Sequence, residues 1–207
     1  MSGVRTERGI VVGNVYDKVG TRNPIARALI RGFMAGFDAL LDQSGAREVH
    51  EVGCGEGNLS ARLRDKGLIV RGSDFSEIII AEARRRHDAA GIRFDVRSIY
   101  DLAPDVDSAP LVVCCEVLEH LDDPERALTN LAAIVREWCI LSVPREPIWS
   151  LMNLARGKYL SDWGNTPGHV QRWGSRDFLA MVERHFEIVD VRRPLPWTMV
   201  LARPRPA

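Results

Sequence analysis

A run of glycines between residues 53 and 57 constrains the fold of this chain most strongly. Gly53, Gly55 and Gly57 follow a short β-branched stretch and precede leucines at helical spacing. Glycine lets the backbone turn sharply and lets a ligand approach the main chain closely. A strand, a glycine-rich turn and a helix form a nucleotide-binding element, because free amides at the helix start face the space above the strand. The pattern therefore predicts a parallel α/β fold with a ligand site after this strand.

Acidic side chains in the same loop indicate which kind of ligand fits. The dinucleotide fingerprint G-x-G-x-x-G has its third glycine where this chain has Asn58. Glu51 and Glu56 lie beside the place that a pyrophosphate would occupy, so a ligand with an amino group and a sulfonium is favoured over a diphosphate. The loop residues expected to bind this ligand are Glu51, Gly53, Cys54, Gly55 and Asn58.

A third acid, Asp74, ends the next apolar strand about twenty residues beyond Gly53. A carboxylate at this position can accept hydrogen bonds from both ribose hydroxyls of an adenosine. Phe75 and Ile78 follow it and would supply apolar walls for the adenine. This feature fits any adenosine ligand, NAD included.

The stretch Glu51–Asn58, E-V-G-C-G-E-G-N, resembles the first motif of the class I S-adenosylmethionine-dependent methyltransferases. The resemblance extends roughly from Val49 to Arg203. It implies S-adenosyl-L-methionine as the cofactor. It also implies an α/β fold: a Rossmann-like seven-stranded sheet with helices on both faces and an antiparallel last strand.

The order of predicted elements agrees with that fold. Apolar runs predict strands at 49–52, 68–74, 92–96, 111–115 and 138–143, with a hairpin at 186–191 and 197–202. Asn23 and Pro24 predict the start of a helix that runs to about Leu41. Residues 1–13 look irregular, and 144–167 look loop-rich. We predict a single domain: 1–45 as N-terminal segment and cap helix, and 46–207 as the class I methyltransferase domain.

The resemblance assigns two further cofactor contacts away from the glycine loop. In the family, an N-terminal segment covers the cofactor and a tyrosine like Tyr16 often touches it, although Tyr16 could equally pack the entry of the first helix. An acid usually holds the adenine amino group after the third strand. Ser98 takes that place here and is followed by Ile99. A serine hydroxyl can still accept a hydrogen bond.

The stretch Glu116-x-x-Glu119-His120 follows the fourth strand, where open α/β sheets place their ligands. Methyl transfer needs a base for the acceptor's proton, and His120 or Glu119 could supply it. The three side chains could also converge on a divalent cation, with His169 as the best candidate for a fourth ligand.

This pattern resembles two groups within the family, the ubiquinone-biosynthesis type of O-methyltransferases and the methyltransferases of small-RNA ends. In the second group the matching side chains hold a Mg²⁺-like ion, which implies Glu116, Glu119, His120 and His169 as ligands of Mg²⁺ or another divalent cation. A metal-free role for His120 in catalysis and a packing role for His169 stay open.

Composition further limits the range of possible functions. Lys and Arg balance Asp and Glu at 28 each, which argues against nucleic acid as the partner. No long apolar span is present, and four cysteines without C-x-x-C spacing predict reduced thiols in a cytoplasmic protein. We predict transfer of a methyl group to an oxygen, or to a nitrogen, of a small-molecule acceptor. The alternatives are a 2′-O-methyltransferase of RNA ends, an NAD-dependent oxidoreductase and a non-catalytic cofactor-binding scaffold.

Overall fold

The computed structural model describes residues 5–7, 10–12, 23–155 and 170–205. Seven strands form one sheet and two short strands form a separate antiparallel pair. The strands are β1 (Arg5–Glu7), β2 (Ile10–Val12), β3 (Glu48–Val52), β4 (Ile69–Asp74), β5 (Arg93–Val96), β6 (Ala109–Cys115), β7 (Val135–Pro144), β8 (Phe186–Arg192) and β9 (Trp197–Pro204). The α-helices are α1 (Pro24–Ser44), α2 (Asn58–Asp65), α3 (Glu77–His87), α4 (Pro104–Asp107), α5 (Pro124–Ile134), α6 (Ile148–Ala155) and α7 (Ser175–Val182).

The large sheet has the order β5-β4-β3-β6-β7-β9-β8. Strands β3 to β7 pair in parallel, and β9 is antiparallel to both β7 and β8. The predicted seven-stranded sheet with an antiparallel last strand is therefore confirmed. The chain moves outward from β3 to β5 and then returns to β6 on the other side of β3. Ligands of open α/β sheets bind at such a reversal, outside the carboxyl ends of the strands.

Helices cover both faces of this sheet. On one face, α5 and α7 bury Leu128, Leu131 and Phe178 against the strands. On the other face, α1 buries Phe33 and Phe37 in a second apolar cluster. Burial of side chains of this size stabilises the fold by about 1.5–3 kcal/mol each. Because α1 shares its cluster with the strands, it packs directly on the sheet, while the predicted boundary at residues 45 and 46 stays a prediction.

Most predicted elements are present, and three details differ. The segment 1–13, predicted to be irregular, contains the paired strands β1 and β2. The segment 144–167, predicted to be loop-rich, contains α6. Ile25, whose helical spacing with Phe33 and Phe37 predicts a place on the same apolar face of α1, is 64% exposed in the first turn of that helix. Asn23 caps α1 as predicted, with its side chain accepting from the amides of Ile25 and Ala26.

The four cysteines are free thiols, as predicted. Three of them, Cys54, Cys114 and Cys139, are buried, and burial raises the pKa of each thiol. None of the helices in the described part of the chain is long and apolar enough to cross a membrane. The cytoplasmic location stays a prediction.

Candidate functional site

The glycine turn lies at the carboxyl end of β3, beside the reversal in strand order. All three glycines have positive φ, at 74° for Gly53, 53° for Gly55 and 78° for Gly57. A Cβ on Gly53 would clash with the side chain of Val117, whereas a Cβ on Gly55 would meet nothing within 4 Å. The turn is thus packed against protein at its first glycine and open at its second, which leaves a space where a ligand can approach the backbone.

Asp74 lies beside this open position, as the sequence spacing predicts. Its Oδ2 accepts a hydrogen bond from the amide of Gly55 at 3.1 Å, and its Oδ1 accepts one from the amide of Ser76 at 3.0 Å. Ser76 in turn caps α3 by accepting from the amide of Ile79. The carboxylate is therefore fixed between the glycine loop and the start of α3, at the place predicted for the ribose.

Glu51 lies at the end of β3 and is only 5% exposed. Its Oε2 accepts a hydrogen bond from the hydroxyl of Ser60. Burial raises the pKa of Glu51 to about 8, and the nearby carboxylate of Asp74 acts in the same direction. The group is therefore largely protonated at neutral pH, and a cation placed beside it would favour its ionised form.

Cys54 and Asn58 complete the predicted loop residues. The side chain of Cys54 is buried in an apolar cluster with Ile80 and Phe94, and its amide donates to the carbonyl of Ser73 at 3.0 Å. Asn58 is the first residue of α2 and is half-buried. A side-chain contact of Cys54 with a ligand above the loop is therefore not favoured, while Asn58 lies at the helix start.

The residues predicted for the adenine lie along the ends of β4 and β5. Phe75 is half-buried and Ile78 is 51% exposed. The hydroxyl of Ser98 accepts a hydrogen bond from the amide of Tyr100 at 3.2 Å, which leaves its own proton to donate. The side chain of Ile99 is buried in the core, so any contact of this residue with a cofactor would use its backbone.

Glu116 follows β6 and has a left-handed backbone, with φ at 60°. Its Oε2 accepts a hydrogen bond from Nε1 of Trp197 at 2.6 Å, and its Oε1 accepts one from the hydroxyl of Ser142 at 3.0 Å. Its amide donates to the carbonyl of Ser142 at 3.0 Å. A positive φ costs a non-glycine residue about 1 kcal/mol or more. The strained backbone and the two donors fix the carboxylate at the centre of the carboxyl edge.

Trp197 connects Glu116 to a cluster of aromatic rings. Its ring centroid lies 5.0 Å from that of Phe33, at an interplanar angle of 73°, and 5.8 Å from that of Trp149, at 59°. These rings come from α1, α6 and β9. The sequence predicts an apolar substrate pocket from the aromatic residues of 144–167, and Trp149 belongs to that group. Tyr159 and Trp163 lie outside the described residues.

Trp197 and Ser142 were not predicted as site residues. Trp197 is separated from Glu116 by 81 positions, and Ser142 by 26. Each occurs in a strand whose apolar pattern explains it as a core position. Only the pairing of β6 with β7 and of β7 with β9 brings the three together.

Glu119 and His120 lie in a short 3-10 helix, Leu118–His120, directly after Glu116. Glu119 is 2% exposed, whereas the side chain of His120 is 37% exposed. His120 Nε2 lies 4.0 Å from Glu119 Oε1. The imidazole is thus the accessible member of this pair and can reach a ligand at the carboxyl edge.

The predicted metal site is not supported by the part of the chain that the structure describes. No group of three or more His, Cys, Asp or Glu in that part is arranged to hold a metal ion. Both oxygens of Glu116 already accept protein hydrogen bonds. His169, the predicted fourth ligand, and Tyr16, the predicted cofactor contact, lie outside the described residues.

Three histidines to which the sequence assigns no role have structural partners. His50 is buried between the hydroxyl of Ser73 and the carbonyl of Asp107, each at 2.9 Å. His87 Nε2 lies 3.1 Å from the carbonyl of Glu56, and His185 Nε2 lies 2.8 Å from Oε2 of Glu125. They support the fold.

Residues 49–137 match the family described as "Methyltransferase domain". This segment contains the glycine turn, Asp74, Glu116 and His120. Together with the sheet order, the match supports the prediction of a class I S-adenosylmethionine-dependent methyltransferase. It favours that prediction over an NAD-dependent oxidoreductase.

The individual relatives are also methyltransferases. The chain is 36% identical over 92 residues to a ubiquinone biosynthesis O-methyltransferase of Coxiella burnetii, which covers 44% of this chain and 39% of the relative. It is 32% identical over 124 residues to the protein of that description from Xanthomonas axonopodis pv. citri, covering 58% and 51%. The chain thus spans about two fifths to one half of the length of these curated relatives.

A solved structure shows the same fold over most of the chain. Magnesium protoporphyrin IX methyltransferase from Synechocystis PCC 6803, with bound SAH, superposes with a TM-score of 0.67. The two chains are 21% identical, and the superposition covers 90% of each.

Proposed function

We propose that this protein transfers a methyl group from S-adenosyl-L-methionine to an oxygen of a small-molecule acceptor. One observation carries the proposal: the open glycine turn and the carboxylate of Asp74 are hydrogen-bonded to each other at the reversal in strand order. An adenosine ligand fits there with its ribose on Asp74 and its polar chain over Gly55. The O-methyltransferase relatives support oxygen as the accepting atom.

The residues at the carboxyl edge fit this cofactor. The space above Gly55 admits a ligand close to the backbone, and Asp74 can exchange its bond with that amide for the ribose hydroxyls. Glu51 would ionise beside the amino group of the ligand. Phe75, Ile78 and the proton of the Ser98 hydroxyl would contact the adenine, and Glu116 would border the methionine part. S-adenosylmethionine, when bound, supplies an electrophilic methyl group on a positively charged sulfur.

His120 would accept the proton of the acceptor hydroxyl. Its imidazole is accessible at the carboxyl edge, with Nε2 at 4.0 Å from Glu119 Oε1. The aromatic cluster of Phe33, Trp149 and Trp197 would hold the acceptor beside Glu116 and exclude water from it. These residues would thus orient the acceptor and remove its proton, which are the two contributions that the protein must make to methyl transfer.

One contact bears on a metal-assisted version of this reaction. The amides of Val170 and Gln171 both donate to the carbonyl of Glu119, at 2.9 and 3.0 Å, so the residue after His169 lies against the predicted ligands. Because the described residues do not form a metal site, we derive no step through a metal. Turnover that EDTA abolishes and Mg²⁺ restores would support the metal version, whereas we expect turnover to persist in EDTA.

The proposal is tested by separating cofactor binding from turnover. Asp74→Asn should weaken S-adenosylhomocysteine binding roughly 100-fold, because two charge-assisted hydrogen bonds to the ribose lose their strength. His120→Ala should leave that affinity within about twofold and reduce turnover by at least 100-fold, the usual contribution of a positioned base. Calorimetry and methyl-transfer assays measure the two effects.

Matched variants away from the site serve as controls. Asp95→Asn changes a carboxylate that pairs with Arg93 on β5, and His185→Ala changes a histidine bound to Glu125. Both should keep cofactor affinity and turnover. Normal S-adenosylhomocysteine binding by Asp74→Asn would show that the ribose is placed wrongly. Equal affinity of the protein for NAD⁺ and S-adenosylhomocysteine would overturn the proposed cofactor.

A further inference from the structure

Arg145 has a buried nitrogen that no described residue satisfies. Its Nε is buried and lacks a hydrogen-bond partner. Arg62 and Arg71 share this property at Nε, but they use their terminal nitrogens, on Asp38 and on the carbonyls of Val106 and Ser108. No hydrogen bond or ion pair of the Arg145 side chain is found in the part of the chain that the structure describes. A buried donor left in this state is costly unless a ligand satisfies it.

The backbone of Arg145 lies at the carboxyl edge, between the two tryptophans of the aromatic cluster. Its amide donates to the carbonyl of Pro196 at 2.8 Å, next to Trp197, and its carbonyl accepts from the amide of Trp149 at 3.0 Å. The preceding residue, Pro144, pairs with Trp197 in the sheet. Trp197 in turn donates to Glu116. The backbone of Arg145 therefore lies in the region where the acceptor is proposed to bind.

The nearest acid along the chain is occupied by other groups. The carboxylate of Glu146 accepts from the amide and the hydroxyl of Ser150, at 3.2 and 2.8 Å, and lies 3.7 Å from Nε of Arg172. No ring contact of Arg145 is found among residues 23–155 and 170–205, where Arg126 lies over the ring of Tyr100 at 4.9 Å. Among residues 23–155 and 170–205, therefore, no acid pairs with the guanidinium of Arg145.

We propose that Arg145 binds an anionic oxygen group of the acceptor, which rests on the proposed function. A guanidinium presents a planar fork of donors that matches a carboxylate in two parallel hydrogen bonds. The rings of Trp149, Trp197 and Phe33 favour a planar ring beside it. The substrate class is therefore a hydroxylated aromatic compound with a carboxylate, and Arg145 determines this specificity.

The test compares three compounds that share a catechol ring on the wild-type protein saturated with S-adenosylhomocysteine. Calorimetry measures 3,4-dihydroxybenzoate, its neutral isostere 3,4-dihydroxybenzamide, and catechol. We expect the carboxylate to bind at least about tenfold more tightly than the two neutral compounds, as one charge-assisted pair provides. Equal affinities, or no binding of 3,4-dihydroxybenzoate, would overturn the proposal without a variant.

Variants of two arginines, one at each end of β7, then test which residue is responsible for the preference for the carboxylate. Arg145→Gln should reduce the affinity for 3,4-dihydroxybenzoate to that for the benzamide and leave S-adenosylhomocysteine binding and the thermal midpoint unchanged. Arg136→Gln, an exposed position at the opposite end of β7, should keep the wild-type preference. A preference retained in Arg145→Gln would refute the assignment.

The two proposals can fail separately. A wild-type protein that does not bind S-adenosylhomocysteine would refute the proposed function itself. A protein that binds it and methylates catechol as efficiently as the dihydroxybenzoate would refute only the role of Arg145.

Discussion

At the scale of single residues, two acids at the site differ in burial and in hydrogen-bond partners. Burial is the main reason why the pKa of Glu51 rises to about 8. Glu116 is half-buried and accepts hydrogen bonds from Trp197 and Ser142 on separate oxygens. Glu51 is therefore poised to lose a proton when a cation arrives, whereas the carboxylate of Glu116 is held in one orientation by its two donors.

Cofactor binding should release a proton from Glu51. The group is mainly protonated at pH 7, and the amino group of S-adenosylhomocysteine beside it would lower its pKa below that pH. We expect close to one proton to be released on binding at pH 7, and the affinity to rise as the pH increases toward about 8. Calorimetry in two buffers of different ionisation enthalpy measures the number of protons.

Glu51→Gln provides the comparison for this release. The variant keeps an acceptor for the hydroxyl of Ser60 and cannot ionise, so the released proton and the pH dependence should both disappear. The same proton release in the variant would show that another group titrates.

The acids of the site could be predicted from the sequence, but their hydrogen-bond partners could not. Glu51 and Asp74 were found because a glycine turn and a fixed spacing mark them locally. The bond between Glu116 and Trp197 joins residues 81 positions apart, and nothing near either residue indicates the other. That Nε of Arg145 lacks a hydrogen-bond partner follows only from the positions of the atoms around it.

At the scale of elements, the glycine turn combines a packed position and an open position. Gly53 contacts Val117, which follows β6, while Gly55 has no neighbour within 4 Å of a Cβ. Strands and helices with strong patterns were predicted well, because continuous apolar runs and caps such as Asn23 and Ser76 are local signals. The helix α6 was not predicted, because a mostly apolar run of eight residues after Pro147 fits several structures.

Alanine substitutions in the turn should separate folding from binding. Gly53→Ala should destabilise the protein by about 2–4 kcal/mol, because it adds a steric clash to the strain of a positive φ. Gly55→Ala should cost about 1 kcal/mol of stability, since it adds only the strain. It should weaken S-adenosylhomocysteine binding at least about tenfold, since the methyl group occupies the ligand space. Urea unfolding and calorimetry measure the two effects.

Gly67→Ala is the matched control for this pair. Gly67 also has a positive φ, at 87°, and nothing within 4 Å of a Cβ, but it lies beyond the far end of α2. The variant should lose about as much stability as Gly55→Ala and keep the wild-type affinity. A similar loss of affinity in both variants would mean that strain alone, and not ligand contact, governs binding.

At the scale of the whole molecule, a buried histidine joins the sheet to the segment that precedes β6. His50 on β3 lies between the hydroxyl of Ser73 on β4 and the carbonyl of Asp107. The carboxylate of Asp107 in turn accepts from Arg97 and from the amide of Ala103. Three elements therefore depend on one neutral imidazole. The sequence predicted the elements and their order, but this buried network depends on their three-dimensional packing.

Protonation of His50 should make the fold sensitive to acid. Burial, with the charge of Arg71 next, lowers the pKa of His50 to about 4 from 6.5, although Asp107 and Asp95 oppose the shift. The unfolded chain therefore binds a proton between these values that the folded protein does not bind. Its contribution to stability is complete above pH 6.5 and is lost as the pH falls toward 4, by about 2 kcal/mol at pH 5.

Urea unfolding at pH 7.5 and pH 5 tests this contribution. His50→Gln should be less stable than the wild type at pH 7.5, because it loses part of the buried network, but its further loss on going to pH 5 should be smaller by about 2 kcal/mol. Leu63→Ala, which removes a buried apolar side chain of α2, should lower stability equally at both pH values. If His50→Gln showed the full wild-type loss at pH 5, other groups would account for the acid sensitivity, because the imidazole would then contribute nothing to it.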